Sequence, residues 1–498
     1  MSKMFSALRH PNYRLWASGA VVSNVGTWMQ RVAQDWLVLT ALTNHDGAAV
    51  GVTTGLQFLP ILVLGPYAGV VGDRLDKRKL LIGTQAAMGA LALLQAVLVL
   101  SGVAQLWHIY AIALLLGVAS AFDAPARQAF VSELVGRQDV PNAVALNSAS
   151  FNLARLAGPG VAGVLISVVG TGWVFLINAA SFAAVIASLI KLRVDLLHRS
   201  APVPRGKHQI VEGLRYVRSQ PRTLLIMAMA GVVGMFTLNF QVTNALMAAN
   251  VFHTGPDAYG LLGSVMAVGT LGGALLSARR RNPRMSLLVA AAVLLGLATI
   301  VAAIMPAYVW FAVMLVPVGL TSMTFLNLCN TIVQLSTDSQ YRGRVLALYM
   351  AVIQGGTPIG APIIGWVANT GGARWSLLIG GAAALVAGIL GIVALTRWGE
   401  GTIREQLRAV WAARRDEDAN DGADDGADDG GALAPAVTGP SPVLTATAPT
   451  TGQSSRGGRP ECKTPPAGRP RPAAQRAATG SIPRVSGPRD RGDRVPKP

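Results

Sequence analysis

Charge is what this sequence has least of. Only 13% of its 498 residues are Asp, Glu, Lys or Arg, about half of the roughly 25% carried by an ordinary soluble domain. A water-soluble fold of this length needs far more surface charge, so the soluble classes drop out. Cysteine is nearly absent: Cys329 stands in an apolar run and Cys462 in a polar stretch, which excludes a disulfide framework and a thiolate metal cluster. The six histidines (His10, His45, His108, His198, His208, His253) fall at the ends of apolar runs or between them, and no two have the i, i+4 spacing of a helical metal pair. No metal and no other cofactor is expected. No GxxxxGK[ST] loop occurs either, which removes a nucleotide as the direct energy source, and no enzyme activity is expected.

What is present is apolar sequence, 52% of the chain, with a mean hydropathy of +0.45. Twelve runs are long enough to cross about 30 Å of hydrocarbon: 13–42, 50–72, 80–100, 107–124, 142–169 and 173–192, then 223–247, 258–278, 285–304, 307–335, 345–369 and 375–397. The formal charge of +18 lies mostly in alternate connections between them. One set holds Lys3, Arg9 and Arg14, then Arg74, Lys77, Arg78 and Lys79, then Arg127 and Arg137, and later Arg279 to Arg281, Arg284, Arg342 and Arg344; the other set holds only Arg374. The positive-inside rule accounts for this bias without a nucleic-acid partner and predicts cytoplasmic N- and C-termini. The expected fold is therefore all-α integral membrane, with 12 transmembrane helices, multi-pass in the cell membrane.

The halves repeat at an offset of 202 residues. Gly117 matches Gly319, Ser120 matches Ser322, Gly158 matches Gly360, Gly163 matches Gly365 and Trp173 matches Trp375. Six helices return the chain to its starting side, so the two six-helix repeats are parallel, with a cleft between them. The expected domains are an N-terminal bundle 1–192, a cytoplasmic linker 193–222, a C-terminal bundle 223–397 and a cytoplasmic tail 398–498. Ile210, Leu214 and Val217 predict an amphipathic linker helix on the inner leaflet. Ile403 to Arg415 read as another interfacial helix, and the Asp, Gly, Pro and Thr rich remainder is too poor in apolar residues to fold.

Between runs 2 and 3 stands GVVGDRLDKRKLL, Gly69 to Leu81. It resembles the loop signature of the major facilitator superfamily, with Asp76 where a second Gly is usual. Ala157-Gly158-Pro159-Gly160 with Gly163 is similar to the Gly-Pro signature of that superfamily's drug:proton antiporters. SNVGTWMQRVAQDWLVLTAL and YRGRVLALYM look like the branch holding the enterobactin exporter and the macrolide efflux proteins. The resemblance spans residues 5 to 397 and implies proton-coupled export. One departure matters: the antiporters' helix 4 Arg is replaced by Ala113, four residues before Gly117, so Arg31 or Arg155 would have to serve a proton relay.

Asn24, Trp28, Arg31 and Asp35 share one face of the first helix. A charge there costs at least roughly 2.5 to 3.5 kcal/mol, which places it against a partner or a wet cavity. Asp35 is the candidate proton-carrying acid with Arg31 beside it; the alternative is a fixed Arg31 to Asp35 ion pair that only keeps the helix insertable. Ser148, Asn152 and Arg155 are spaced 4 and 3 in the fifth run, where Arg155 would hold an anionic group, answer Asp35 or Asp123, or cap carbonyls loosened by Pro159. Neutral polar stripes, Thr237, Gln241 and Asn244 in the seventh run and Thr324, Asn327, Asn330, Thr331 and Gln334 in the tenth, would line a cavity or join helices. Gly69, Asp73, Arg74, Lys77, Arg78, Gly158, Pro159 and Gly163 are candidate gating residues, with Asp73 latching onto the start of helix 11 near Arg344. The expected function is proton-coupled efflux of small amphiphilic compounds, drugs or secreted metabolites, by alternating access. The expected partners are a small-molecule substrate, protons and membrane lipids, with the protein a monomer. The alternatives are a symporting importer on the same fold and a membrane scaffold or receptor acting through its tail.

Overall fold

The computed structural model describes residues 3–198, 209–278 and 283–397, and these are helical throughout with no strand among them. After a 3-10 segment, Lys3–Arg9, come α1 (Pro11–Trp36), α2 (Gly47–Arg74), α3 (Lys77–Leu100), α4 (Leu106–Glu133), α5 (Val140–Val169) and α6 (Thr171–Ile190). The second half holds α7 (Gln209–Ser219), α8 (Pro221–Val232), α9 (Phe240–Leu246), α10 (Pro256–Ala278), α11 (Met285–Ile304), α12 (Tyr308–Ser336), α13 (Arg342–Gly371) and α14 (Ala373–Arg397). The expected tail, its interfacial helix and the middle of the linker lie outside the described residues.

Among the described residues, eleven helical segments are long and apolar enough to cross a membrane. One of them, Pro221–Val251, joins α8 and α9 through π-helical turns at Val233–Thr237 and continues as a π turn, Met247–Val251. The first run behaves differently from the other eleven. Helix α1 continues as a π-helix, Leu37–Leu42, and is long enough, but Asn12, Asn24, Gln30, Arg31, Gln34 and Asp35 dilute its apolar character and it is not one of the eleven.

Large apolar side chains stand exposed around the helices, among them Val97, Trp107, Val164, Val168, Leu275 and Trp310. In water such a surface would be an interaction patch, and in hydrocarbon it is the ordinary exterior. The largest apolar cluster runs between the halves, uniting Val38, Leu39 and Val50 with Leu246 and Met247.

Backbones approach closely where glycine permits it. Gly117 of α4 lies against the Gln57 carbonyl of α2, and Gly319 of α12, 202 positions later, lies against the Met266 carbonyl of α10. Gly163 of α5 packs on Pro256 and Asp257 of α10, and Gly365 of α13 packs on Gly47 and Ala48 of α2. The linker helix α7 docks on the start of α13: Glu212 accepts from Arg344 at 2.5 Å, and Tyr216 stacks on Tyr341 with ring centroids 4.5 Å apart.

Candidate functional site

Helix α1 carries polar groups on two faces, and each face has a separate use. Gln30 donates to Gln95 of α3 at 3.0 Å, Gln95 donates to Gln34 at 3.4 Å, and Asn178 of α6 donates to Gln30. These buried amides satisfy one another and fix the rotation of α1 within the first half. The opposite face, Trp28, Arg31 and Val32, is thereby presented to a cavity of about 220 Å³.

Both halves line that cavity. Phe58 of α2 and Arg155 and Pro159 of α5 join the α1 residues, and the second half contributes Leu238, Phe240, Gln241, Asn244, Tyr259, Gly263 and Met266. Leu238 and Asn239 form the break between the π turn and α9. Irregular backbone at membrane depth is tolerated where it lines a cavity or is repaired by side chains, and Asn239 Nδ2 donates to the Met235 carbonyl at 2.6 Å. In α5, Pro159 cannot bond back to the Arg155 carbonyl, while Gly158 lets α5 close on α1, since a Cβ there would stand 2.6 Å from Trp28 Cβ.

The charges are distributed unevenly. Asp35 is 4% exposed and receives the Tyr259 hydroxyl at 3.2 Å; the same hydroxyl lies 3.4 Å from the Gln241 carbonyl. The Tyr259 ring stacks on Trp36, centroids 5.9 Å apart. Arg31 forms no ion pair with Asp35 within 4 Å, so the two are not fixed together in this conformation. Its guanidinium lies over Trp28 at 5.0 Å and Phe58 at 5.6 Å, and its Nε is buried without a hydrogen bond. Buried Asn244 Oδ1 has no partner either.

The loop between the first and second spans is tied to the second half. His45 Nδ1 meets Asn250 Oδ1 at 2.9 Å, Gly47 N donates to Asn369 Oδ1 at 2.7 Å, and Asn369 Nδ2 donates to Asp46 at 2.5 Å. Gly160 N adds a bond to Ser264 Oγ at 3.0 Å. Asn152 of α5 and Thr331 and Gln334 of α12 are exposed.

Of the sequence candidates, Trp28, Arg31, Arg155, Pro159, Gln241 and Asn244 meet at the cavity, with Asp35 and Gly158 directly behind its wall. Asn24 instead contacts Ser150 and Arg127, both at 3.4 Å. Arg127 pairs with Asp123 at 2.9 Å, which also accepts from Thr84 and Gln85. Asn152 donates to the Ser148 carbonyl of its own helix, Thr237 to Gly380, Thr331 to Asn327 and Gln334 to Asn330, and none of these reaches the cavity. Lys77 binds Glu133 at 2.6 Å and Arg78 binds the Leu189 and Ile190 carbonyls, all within the first half. Gly69, Asp73 and Arg74 fall outside the residues whose side chains are described. Tyr259 and Phe58 were not singled out by the sequence; the one available signal was that Tyr259 is the lone polar aromatic residue of α10.

A family model described as transmembrane secretion effector matches residues 2–413. The multidrug efflux pump Tap of Mycolicibacterium fortuitum is 27% identical over 76% of this chain and 93% of its own. Macrolide efflux protein A of Streptococcus pyogenes is 25% identical over 74% of this chain and 92% of its own. Among solved structures, a bacterial homolog of the human lysosomal transporter Spinster, in an inward-facing and occupied conformation, aligns with a TM-score of 0.60 at 14% identity, covering 77% of this chain and 97% of that one.

Proposed function

The chain belongs to the transmembrane secretion effector family of major facilitator transporters, and we propose that it exports small amphiphilic solutes by alternating access, coupled to protons. The observation that carries the reading is the cavity walled jointly by α1, α2 and α5 of one half and by the broken seventh span and α10 of the other. A site at the seam of two bundles is exposed to either side as they rock. Export is the sense in which two of the chain's relatives, Tap and macrolide efflux protein A, are named.

In this reading α1 is a twelfth span, tolerated in hydrocarbon because its polar faces meet the amide seam and the cavity. Both termini are cytoplasmic, and the clasp at His45, Asp46, Asn250 and Asn369 closes the outer face. The pairs Gly117 with Gly319 and Gly163 with Gly365, which make corresponding contacts, support two like-oriented repeats. Asp35 is the proton-carrying acid: it is nearly sealed, is held by one hydroxyl from the other half, and is not locked to Arg31. Gly158, Pro159 and Gly163 lie where α5 meets α1 and α10, and they form the hinge of the gate. The positions Asp73 and Arg344 latch the inner face in the opposite state; here Arg344 holds Glu212.

The test uses a compound whose intracellular level rises when the protein is absent. Everted vesicles should accumulate it on acidification of the lumen, and Asp35→Asn should reduce that flux to background while the amount of folded protein in the membrane is unchanged. Unchanged flux in Asp35→Asn removes Asp35 from the mechanism. Accumulation only in right-side-out vesicles reverses the direction of transport.

A further inference from the structure

Two guanidiniums face the cavity, and no protein carboxylate neutralises either one at close range. Among the described residues, neither Arg31 nor Arg155 forms an ion pair within 4 Å or a hydrogen bond with another protein group. Asp35, one turn along α1, attracts Arg31 from beyond ion-pair distance and takes its hydrogen bond from Tyr259. Two buried or half-buried cations with one carboxylate between them, and no close ion pair, are costly in a membrane protein, and such groups mark a ligand pathway.

We propose that the transported solute is an anion with a flat apolar body, its acidic group held between Arg31 and Arg155. This deepens, and rests on, the reading of the cavity as the transport site. The guanidinium of Arg31 lies over Trp28 and Phe58, 5.0 and 5.6 Å from their ring centroids, and its fork of N–H donors matches a carboxylate, sulfonate or phosphate in geometry. The same aromatic rings supply apolar contact for the body of the solute. The unpartnered Asn244 Oδ1 accepts one hydrogen bond, so a donor on the solute opposite its acidic group completes the fit. A cationic solute in this space meets two like charges against the one carboxylate of Asp35. In a cell with an inside-negative potential, an anion moving outward also gains about 2.3 kcal/mol per charge per 100 mV.

The experiment compares a charge-inverted pair of probes of one shape, naphthalene-2-sulfonate and 2-naphthylmethylammonium, on the full chain, in lipid nanodiscs for binding and in sealed proteoliposomes for flux. Binding and flux are both measured. The wild-type protein should bind the sulfonate at least about tenfold more tightly than the ammonium. Arg31→Gln and Arg155→Gln should each weaken the sulfonate by about tenfold to a hundredfold, and neither should weaken the ammonium. Asp35→Asn, which removes the competing negative charge, should strengthen the sulfonate. Tighter binding of the ammonium by wild-type protein overturns the proposal without reliance on any variant, as does sulfonate binding unchanged in both arginine variants. The flux arm separates the two readings. Flux of the ammonium without sulfonate preference refutes the anion inference and keeps the transporter, whereas arginine-dependent sulfonate binding with no flux of either probe keeps the anion site and refutes its role in transport.

Discussion

Helix α1 brings Trp28, Arg31 and, behind them, Asp35 to the cavity, while the seventh span, Pro221–Val251, faces it from the other half with Leu238, Phe240, Gln241 and Asn244 and no charge. The two also differ in backbone. Helix α1 is regular from Pro11 to Trp36, turns π-helical only at Leu37–Leu42 and is fixed by buried amides, whereas the seventh span is interrupted beside its cavity residues by the π turn Val233–Thr237 and the break at Leu238 and Asn239. One wall therefore carries charge on a rigid rod, and the other carries neutral groups on an interrupted one. A charge in hydrocarbon must be held against water or a partner, and a rigid helix anchored by Gln30, Gln34, Gln95 and Asn178 does that. A wall that rearranges as the site opens needs loosened backbone bonds, and the π turn with its break at Leu238 and Asn239 provides them.

The comparison breaks most severely where α13 supports the interrupted span. Gly360 lies directly on the Met235 carbonyl, so Gly360→Val forces two backbones apart. Overpacking of this kind costs about 1 to 3 kcal/mol or more, and it should appear as a lowered unfolding temperature in detergent together with lost flux. A comparable Gly272→Val, where the nearest side-chain atom is 3.8 Å away, should be far milder. A smaller effect is expected on the rigid wall. Gln30→Leu leaves Gln95 and Asn178 short of partners, at about 1 to 2 kcal/mol. The loss should weaken solute binding through rotation of α1 while leaving the apparent stability of the second half unchanged. If Gln30→Leu instead leaves binding intact, the amide seam does not position Arg31.

Much of this site was legible in the sequence because spacing along one helix survives folding. Residues 28, 31 and 35 share a face whatever α1 packs against, and Arg155 one turn before Gly158-Pro159 has the same local logic. Neutral polar stripes were less informative, since Asn, Gln and Thr in a membrane helix can bond their own helix. Thr331 does so through the Asn327 carbonyl and Gln334 through Asn330, and the α12 stripe lies away from the cavity. Tyr259 was missed for the opposite reason: its bond to Asp35 spans 224 positions, and no periodicity along α10 announces it. All twelve runs, 13–42 among them, are marked by composition, and α1 differs from the other eleven in the polar and charged groups that lower its hydropathy.

The central claim is that solute passes through the cavity between the halves. Gln241→Cys in a chain whose Cys329 and Cys462 are replaced by Ser places a thiol on its wall, opposite Arg31. In sealed vesicles a membrane-impermeant thiol reagent should modify it from the cytoplasmic side, and an exported compound should slow that modification at the concentrations that saturate its flux. Modification from the outer side alone, or a rate indifferent to a compound the same protein exports, would contradict the account.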